Sequence, residues 1–132
     1  SHISFLRPPI RENFLILKKI FNEDKFLIYL VSSRFSFLRT RAEEWNRNHQ
    51  ISEYFEKMYF NFDDEQPHLF KNKIIKKEKI NIFIDDDLDL LLYLAGQNPN
   101  VNFYWLSADS TRKNLPRNIT HIKTLGDFLN YV

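Results

Sequence analysis

The apolar and polar positions of this chain alternate between two periodicities. Apolar runs predict strands at residues 26–31, 57–62, 80–84 and 101–106, with a shorter strand at 119–123. Helical spacing predicts helices at residues 10–21, 37–45, 68–79 and 88–95, a helical turn at 51–55, and a final helix opened by the capping pair Thr124 and Asp127. This alternation predicts an α/β fold, a doubly wound and mostly parallel Rossmann-like sheet with helices on both faces.

Composition narrows the class of protein. The length of 132 residues suits one domain, and we expect a single domain over residues 1–132. The chain has no Cys, which excludes a disulfide scaffold, a thiolate zinc site and a cysteine nucleophile. A net charge of +2 is too small to indicate an obligate nucleic-acid binder. No apolar run is long enough to span a membrane and the first residues have no secretion-signal pattern, so we expect a cytoplasmic protein.

Glycine is scarce, and its placement carries information. Gly96 and Gly126 are the only two glycines, which excludes a P-loop and a G-x-G-x-x-G dinucleotide loop. Gly96 follows the apolar helix at 88–95 and is predicted to close it at the usual C-terminal position.

Polar side chains follow two of the predicted strands, where the ligand crevice of such sheets lies. Ser32, Ser33 and Arg34 follow the first strand, and Asp85–Asp87 follow the third, with Asp89 two residues further on. Carboxylates gathered at one strand end repel each other unless a cation neutralises them, and their oxygens suit Mg²⁺. The alternative interpretation is a solvated helix start, because acids are favoured in a first helical turn.

A lysine-rich helix precedes the acidic strand. Lys71 and Lys73 lie near its start, and three further lysines follow at positions 76, 77 and 79. An ammonium that faces the crevice beside the Ser32 hydroxyl would bind a phosphoryl group. A charge run is usually a solvated face, and a basic helix also attracts nucleic acid, here without interleaved aromatic residues.

These features resemble the haloacid dehalogenase-like phosphohydrolase superfamily over roughly residues 5–131. An apolar strand that ends in Ser or Thr is motif II of that family, here FLIYLV followed by Ser32. A lysine at the start of a later helix is motif III, and Lys71 has the expected spacing, with Lys73 as the alternative. An apolar strand that ends in paired acids is motif IV, here INIFI followed by Asp85 and Asp86.

The resemblance implies a role for each of these positions. Ser32 would hydrogen-bond the transferring phosphoryl group and Lys71 would stabilise its charge, so these two are the catalytic candidates. Asp86, with Asp85 or Asp89, would hold Mg²⁺ as the cofactor, which neutralises charge as phosphorus is attacked. Ser33 and Arg34 are candidate substrate-binding residues, although a surface ion pair is the ordinary role for Arg34.

Motif I of that family is absent from the sequence. It is a strand that ends in Asp-x-Asp, whose first Asp is the nucleophile, and it lies at the centre of the family's sheet. No carboxylate follows the short apolar stretch Ile3 to Leu6, and this stretch looks more like the tail of a flap hairpin. The sequence therefore predicts a sheet that lacks its central N-terminal strand.

The leading functional hypothesis is a Mg²⁺-dependent phosphomonoester hydrolase for small phosphorylated substrates, inactive as this chain alone because the nucleophile is missing. The alternative is a degenerate, non-catalytic domain of the same fold that serves in binding or interaction. A weaker third hypothesis, a phosphatase acting on nucleic-acid ends, rests only on the basic helix. The oligomeric state is left open.

Overall fold

Six parallel strands form one sheet in the computed structural model, which describes residues 2–5, 27–32, 55–108 and 114–131. The strand order is β3-β2-β1-β4-β5-β6. The strands are β1 (His2–Phe5), β2 (Leu27–Ser32), β3 (Lys57–Phe60), β4 (Ile82–Asp85), β5 (Asn102–Leu106) and β6 (Ile119–Ile122). The described helices are α1 (Pro67–Lys77), α2 (Leu88–Gln97) and a 3₁₀ helix (Leu125–Tyr131). The predicted α/β fold with a parallel, Rossmann-like sheet is confirmed; the helices predicted between β1 and β3 lie outside the described residues.

The centre of the sheet is occupied by β1, which corrects the prediction of a missing central strand. Its residues pair in parallel with β2 on one side, where His2 lies opposite Leu27, and with β4 on the other, where Ile3 lies opposite Ile82. The stretch interpreted as the tail of a flap hairpin is therefore a core strand. A four-residue strand gives little periodicity to detect, and its place is set by hydrogen bonds to two strands that are distant in sequence.

Alternation along β4 divides the core into two layers. Ile82 and Ile84 point to the face covered by the 3₁₀ helix, where they pack with Phe128. Phe83 points to the opposite face and packs with residues of α1 and α2. Successive strand side chains face opposite sides, so Asp85 is placed on the same face as Phe83, beneath the two α-helices.

The α1 and α2 helices are joined near their carboxyl ends by Asn98, which is 7% exposed. Its Nδ2 donates to Asn72 Oδ1 at 2.8 Å and to the Leu94 carbonyl at 2.9 Å, while its Oδ1 accepts from Lys76 Nζ at 3.2 Å.

Gly96 lies inside α2 rather than after it, its φ is not positive, and no neighbouring atom lies within 4 Å of an added Cβ. The prediction that Gly96 closes this helix is therefore wrong, because the helix continues to Gln97 and Asn98 is its C-cap.

The capping pair before the 3₁₀ helix is confirmed. Asp127 N donates to Thr124 Oγ1 at 3.3 Å, and Thr124 N donates to Asp127 Oδ2 at 3.1 Å, which is the reciprocal pattern of a capping box. Within the described part of the chain, every helix is too short or too polar to cross a membrane.

Candidate functional site

Parallel strands end at a common edge of the sheet, and this edge brings Ser32 and Asp85 to the same side of the molecule. Ser32 is the last residue of β2 and lies opposite Phe60 in register. Asp85 is the last residue of β4 and lies opposite Trp105. The backbone places Ser32 at the carboxyl edge as predicted, and its side chain is outside what the structure describes. Ser33 and Arg34 also lie outside the described residues, so their assignment to substrate binding stays a prediction.

Lys71 and Asp85 form a buried ion pair at this edge. The Lys71 Nζ donates to Asp85 Oδ2 at 2.9 Å, and the two side chains are 1% and 0% exposed. The other carboxylate oxygen, Oδ1, accepts a hydrogen bond from the Asp87 backbone N at 2.9 Å. Both oxygens of the carboxylate are thus engaged, and the structure brings together the residues that the sequence placed at motifs III and IV.

The geometry of α1 explains why Lys71 is the buried lysine. Phe70, Ile74 and Ile75 form the apolar stripe of this helix. At 100° per residue, Lys71 lies about 40° from the centre of that stripe, whereas Lys73 lies about 120° away. Lys73 is accordingly on the surface, where its Nζ meets Glu65 Oε2 at 2.7 Å with side-chain exposures of 56% and 35%. The spacing of the resembled family favours Lys71 and leaves Lys73 as the alternative; the helical phase is the signal in the sequence that separates the two.

Burial sets the protonation behaviour of Asp85. Removal of the carboxyl group from water raises the pKa of Asp85 above its ordinary value, and the adjacent Lys71 ammonium opposes that rise. Desolvation is the larger effect, because the carboxylate is almost completely enclosed. The Lys71 ammonium therefore favours the ionised form of Asp85 against the cost of burial.

The remaining acids of this cluster do not converge. Asp87 is the N-cap of α2, and its Oδ1 accepts from Leu90 N at 3.2 Å. Asp86 and Asp89 are exposed on the surface. Among the residues the structure describes, no group of three or more His, Cys, Asp or Glu is arranged to hold a metal ion. The solvated-helix-start interpretation fits Asp87, and the described residues do not form a site that fits Mg²⁺.

A shallow cleft of about 350 Å³ lies between the first turns of α1 and α2. It is lined by Pro67, His68, Asp87, Asp89, Leu90 and Tyr93. His68 and Tyr93 meet edge to face with their ring centroids 4.7 Å apart. No spacing pattern in the sequence indicates this arrangement, because His68 and Tyr93 come from different helices.

Three of the surface lysines of the basic helix contact neighbouring groups of the same chain. Lys76 Nζ donates to the Gln97 carbonyl at 3.2 Å, Lys77 Nζ lies 5.3 Å from the ring centroid of Tyr59, and Lys73 pairs with Glu65 as described above. These contacts match the ordinary interpretation of the charge run as a solvated face.

The strand order defines a Rossmann-like α/β domain, with a fold like that of haloacid dehalogenase-like core domains. Structural comparison matches the core domain of a protein named as a phosphoglycolate phosphatase from Streptococcus pneumoniae TIGR4, with a TM-score of 0.60 and 16% identity over 98% of this chain and 92% of that one. A haloacid dehalogenase-like family hydrolase from Streptococcus pneumoniae matches with a TM-score of 0.59 and 12% identity over 93% of this chain and 60% of that one. A protein named as a beta-phosphoglucomutase from Thermotoga maritima matches with a TM-score of 0.57 and 14% identity over 95% of this chain and 58% of that one.

These similarities establish the fold and confirm the resemblance at that level. A de novo designed Rossmann 3x3 protein matches equally well, with a TM-score of 0.58 and 18% identity over 98% of this chain and 90% of that one. A designed scaffold that fits as closely as the hydrolases shows that the likeness concerns architecture rather than activity. No protein-family model matches the sequence, and no curated protein matches it.

Proposed function

We propose that this chain is a haloacid dehalogenase-like domain without phosphatase activity, which acts in binding or interaction. The observation that carries the proposal is the identity of the central strand. β1 fills the position between β2 and β4, and the residues after it are Leu6, Arg7 and Pro8, with no carboxylate.

Because β1 occupies the centre of the sheet, the residues that follow β1 are the ones that would have to supply a nucleophile. In the resembled family the nucleophilic Asp follows the central strand, at the carboxyl edge. Here that strand is hydrogen-bonded on both sides, so a further strand carrying Asp-x-Asp has no place at the centre of this sheet. The first acid after β1 is Glu12, seven residues beyond Phe5. A domain of this kind keeps the scaffold and lacks the group that forms the phospho-enzyme.

A generic aryl phosphate tests the absence of hydrolysis. The full chain is assayed with Mg²⁺ beside the variant Asp86→Ala, which removes an exposed carboxylate of the acidic cluster and preserves the buried pair. We expect the two proteins to give the same rate, equal to that of a blank without protein. Turnover by the unmodified chain that disappears in Asp86→Ala would show an active site and contradict the proposal.

A second candidate function is favoured by the Lys71–Asp85 pair. The pair lies on the helix and strand that carry motifs III and IV of Mg²⁺-dependent phosphomonoester hydrolases, at the edge where small phosphorylated substrates would bind. This function requires a nucleophile from outside this chain. It predicts that the chain becomes active only when a second polypeptide is added, and that Asp86→Ala abolishes the gained activity.

A further inference from the structure

Both oxygens of the buried carboxylate at the carboxyl edge accept hydrogen bonds from the protein. Asp85 Oδ2 accepts from Lys71 Nζ at 2.9 Å, and Oδ1 accepts from the Asp87 backbone N at 2.9 Å. The side chains of the pair are 1% and 0% exposed. A divalent cation that coordinated either oxygen directly would lie close to a buried ammonium, and the repulsion between the two positive charges opposes its binding.

The other acids of the cluster offer little to such a cation. Asp87 Oδ1 caps α2 through Leu90 N at 3.2 Å, so its rotation toward a metal would uncap the helix. Asp86 and Asp89 are exposed, and the backbone carbonyl of Asp86 accepts from Trp105 Nε1 at 3.3 Å. Mg²⁺ holds its water tightly and requires near-octahedral geometry, so solvated carboxylates that do not converge bind it weakly.

The strand beside Asp85 adds no acid either. β1 is the neighbour of β4, and the six residues that follow it contain two arginines, Arg7 and Arg11, and no carboxylate. The positive charge beside Asp85 is that of the Lys71 ammonium, which belongs to the protein itself.

We infer that the Lys71 ammonium, rather than a divalent cation, supplies the positive charge that neutralises Asp85, and that the acids the structure describes at this edge, Asp85–Asp87 and Asp89, hold no Mg²⁺. The inference rests on the proposed function, because an active phosphohydrolase of this fold would need the metal. If Lys71 neutralises Asp85, the stability of the folded state does not depend on divalent cations, because the carboxylate that a metal would neutralise already has a positive partner.

Two measurements on the full chain test this inference without reference to activity. The first is isothermal titration with MgCl₂, and the second is the melting temperature in about 10 mM MgCl₂ compared with EDTA. A site with a Kd of about 1 mM would raise the melting temperature by roughly 4 °C under these conditions. We expect a change below about 1 °C and binding weaker than about 1 mM.

The double variant Asp86→Asn/Asp89→Asn is the matched control, because both side chains are exposed and the buried pair is untouched. Mg²⁺ binding tighter than about 1 mM that is lost in this variant would overturn the inference. Tight binding that persists in this variant but is lost in Lys71→Met/Asp85→Leu, which removes the buried carboxylate, would overturn it as well, whereas tight binding kept by both variants comes from other residues and agrees with it. The two proposals fail separately: Mg²⁺ binding without turnover overturns this inference alone, whereas turnover of the aryl phosphate overturns the proposed function.

Discussion

Removal of the Lys71 ammonium is the most informative perturbation of this fold. In Lys71→Met the side chain keeps its length and its place on the apolar stripe of α1, but Asp85 loses its charged partner. The two side chains are 1% and 0% exposed, so water cannot replace the lost ion. Removing one member of a buried pair costs about 3–5 kcal/mol, a large share of the roughly 5–15 kcal/mol that stabilises a domain.

Urea denaturation measures this cost. The unfolding midpoint, followed by circular dichroism, is expected to fall by about 2 M if the slope is near 2 kcal/mol per M. Lys73→Met is the matched control, because it removes an exposed pair with Glu65 on the same helix and is expected to cost less than about 1 kcal/mol. If Lys71→Met costs no more than the control, the buried pair does not have the energetic role argued here.

A double variant separates the charge from the packing. Lys71→Met/Asp85→Leu replaces the ion pair with two apolar side chains, and such replacements are often neutral or stabilising. We expect it to recover most of the stability that Lys71→Met loses. A double variant as unstable as the sum of its single variants would refute the explanation, because the loss would then come from packing rather than from an uncompensated charge.

The remaining predictions concern α2 and its connection to α1. Gly96→Ala is expected to stabilise the protein by about 0.5–1 kcal/mol in thermal or urea unfolding, since Gly96 is in a helix and an added Cβ meets nothing within 4 Å; destabilisation would mean that Gly96 ends the helix after all. Asn98→Ala removes the side-chain bonds to Asn72, Leu94 and Lys76 and is expected to cost about 2–3 kcal/mol. Hydrogen exchange at the carboxyl ends of α1 and α2 should then accelerate first, and unchanged exchange there would count against the proposed link.

The elements predicted most reliably were those whose signal is local. The run from Ile80 to Ile84 was recognised as a buried strand because both faces of β4 are covered, which makes the whole run apolar. The capping box of Thr124 and Asp127 was recognised because all its hydrogen bonds lie within four residues. The prediction for Gly96 is wrong because glycine after an apolar helix is common at its end, whereas here Asn98 caps the helix through the Leu94 carbonyl and is itself held by Asn72 and Lys76 of α1, which are distant in sequence.

The elements that sequence reasoning missed are set by contacts between distant parts of the chain. β1 has four residues, and nothing within it distinguishes a central parallel strand from part of a hairpin. Its position follows from pairing with Leu27 and Ile82, which lie about 25 and 80 residues away. The cleft between α1 and α2 likewise joins His68 to Tyr93 only after both helices have docked on the sheet.

The Lys71–Asp85 pair shows why motif residues alone are weak evidence for activity. Neither member of the pair can be replaced singly without leaving an uncompensated buried charge, at a cost of about 3–5 kcal/mol. Selection for folding is therefore sufficient to retain both residues, whether or not the chain hydrolyses a phosphate ester. Ser32 at the end of β2 is also weak evidence for activity, because small polar residues are common where strands end. The residues that distinguish an enzyme of this fold from an inactive relative are those that supply the nucleophile. The three residues after β1 in the sequence, Leu6, Arg7 and Pro8, include no carboxylate, so the proposed lack of a nucleophile rests on the end of the central strand rather than on the retained pair.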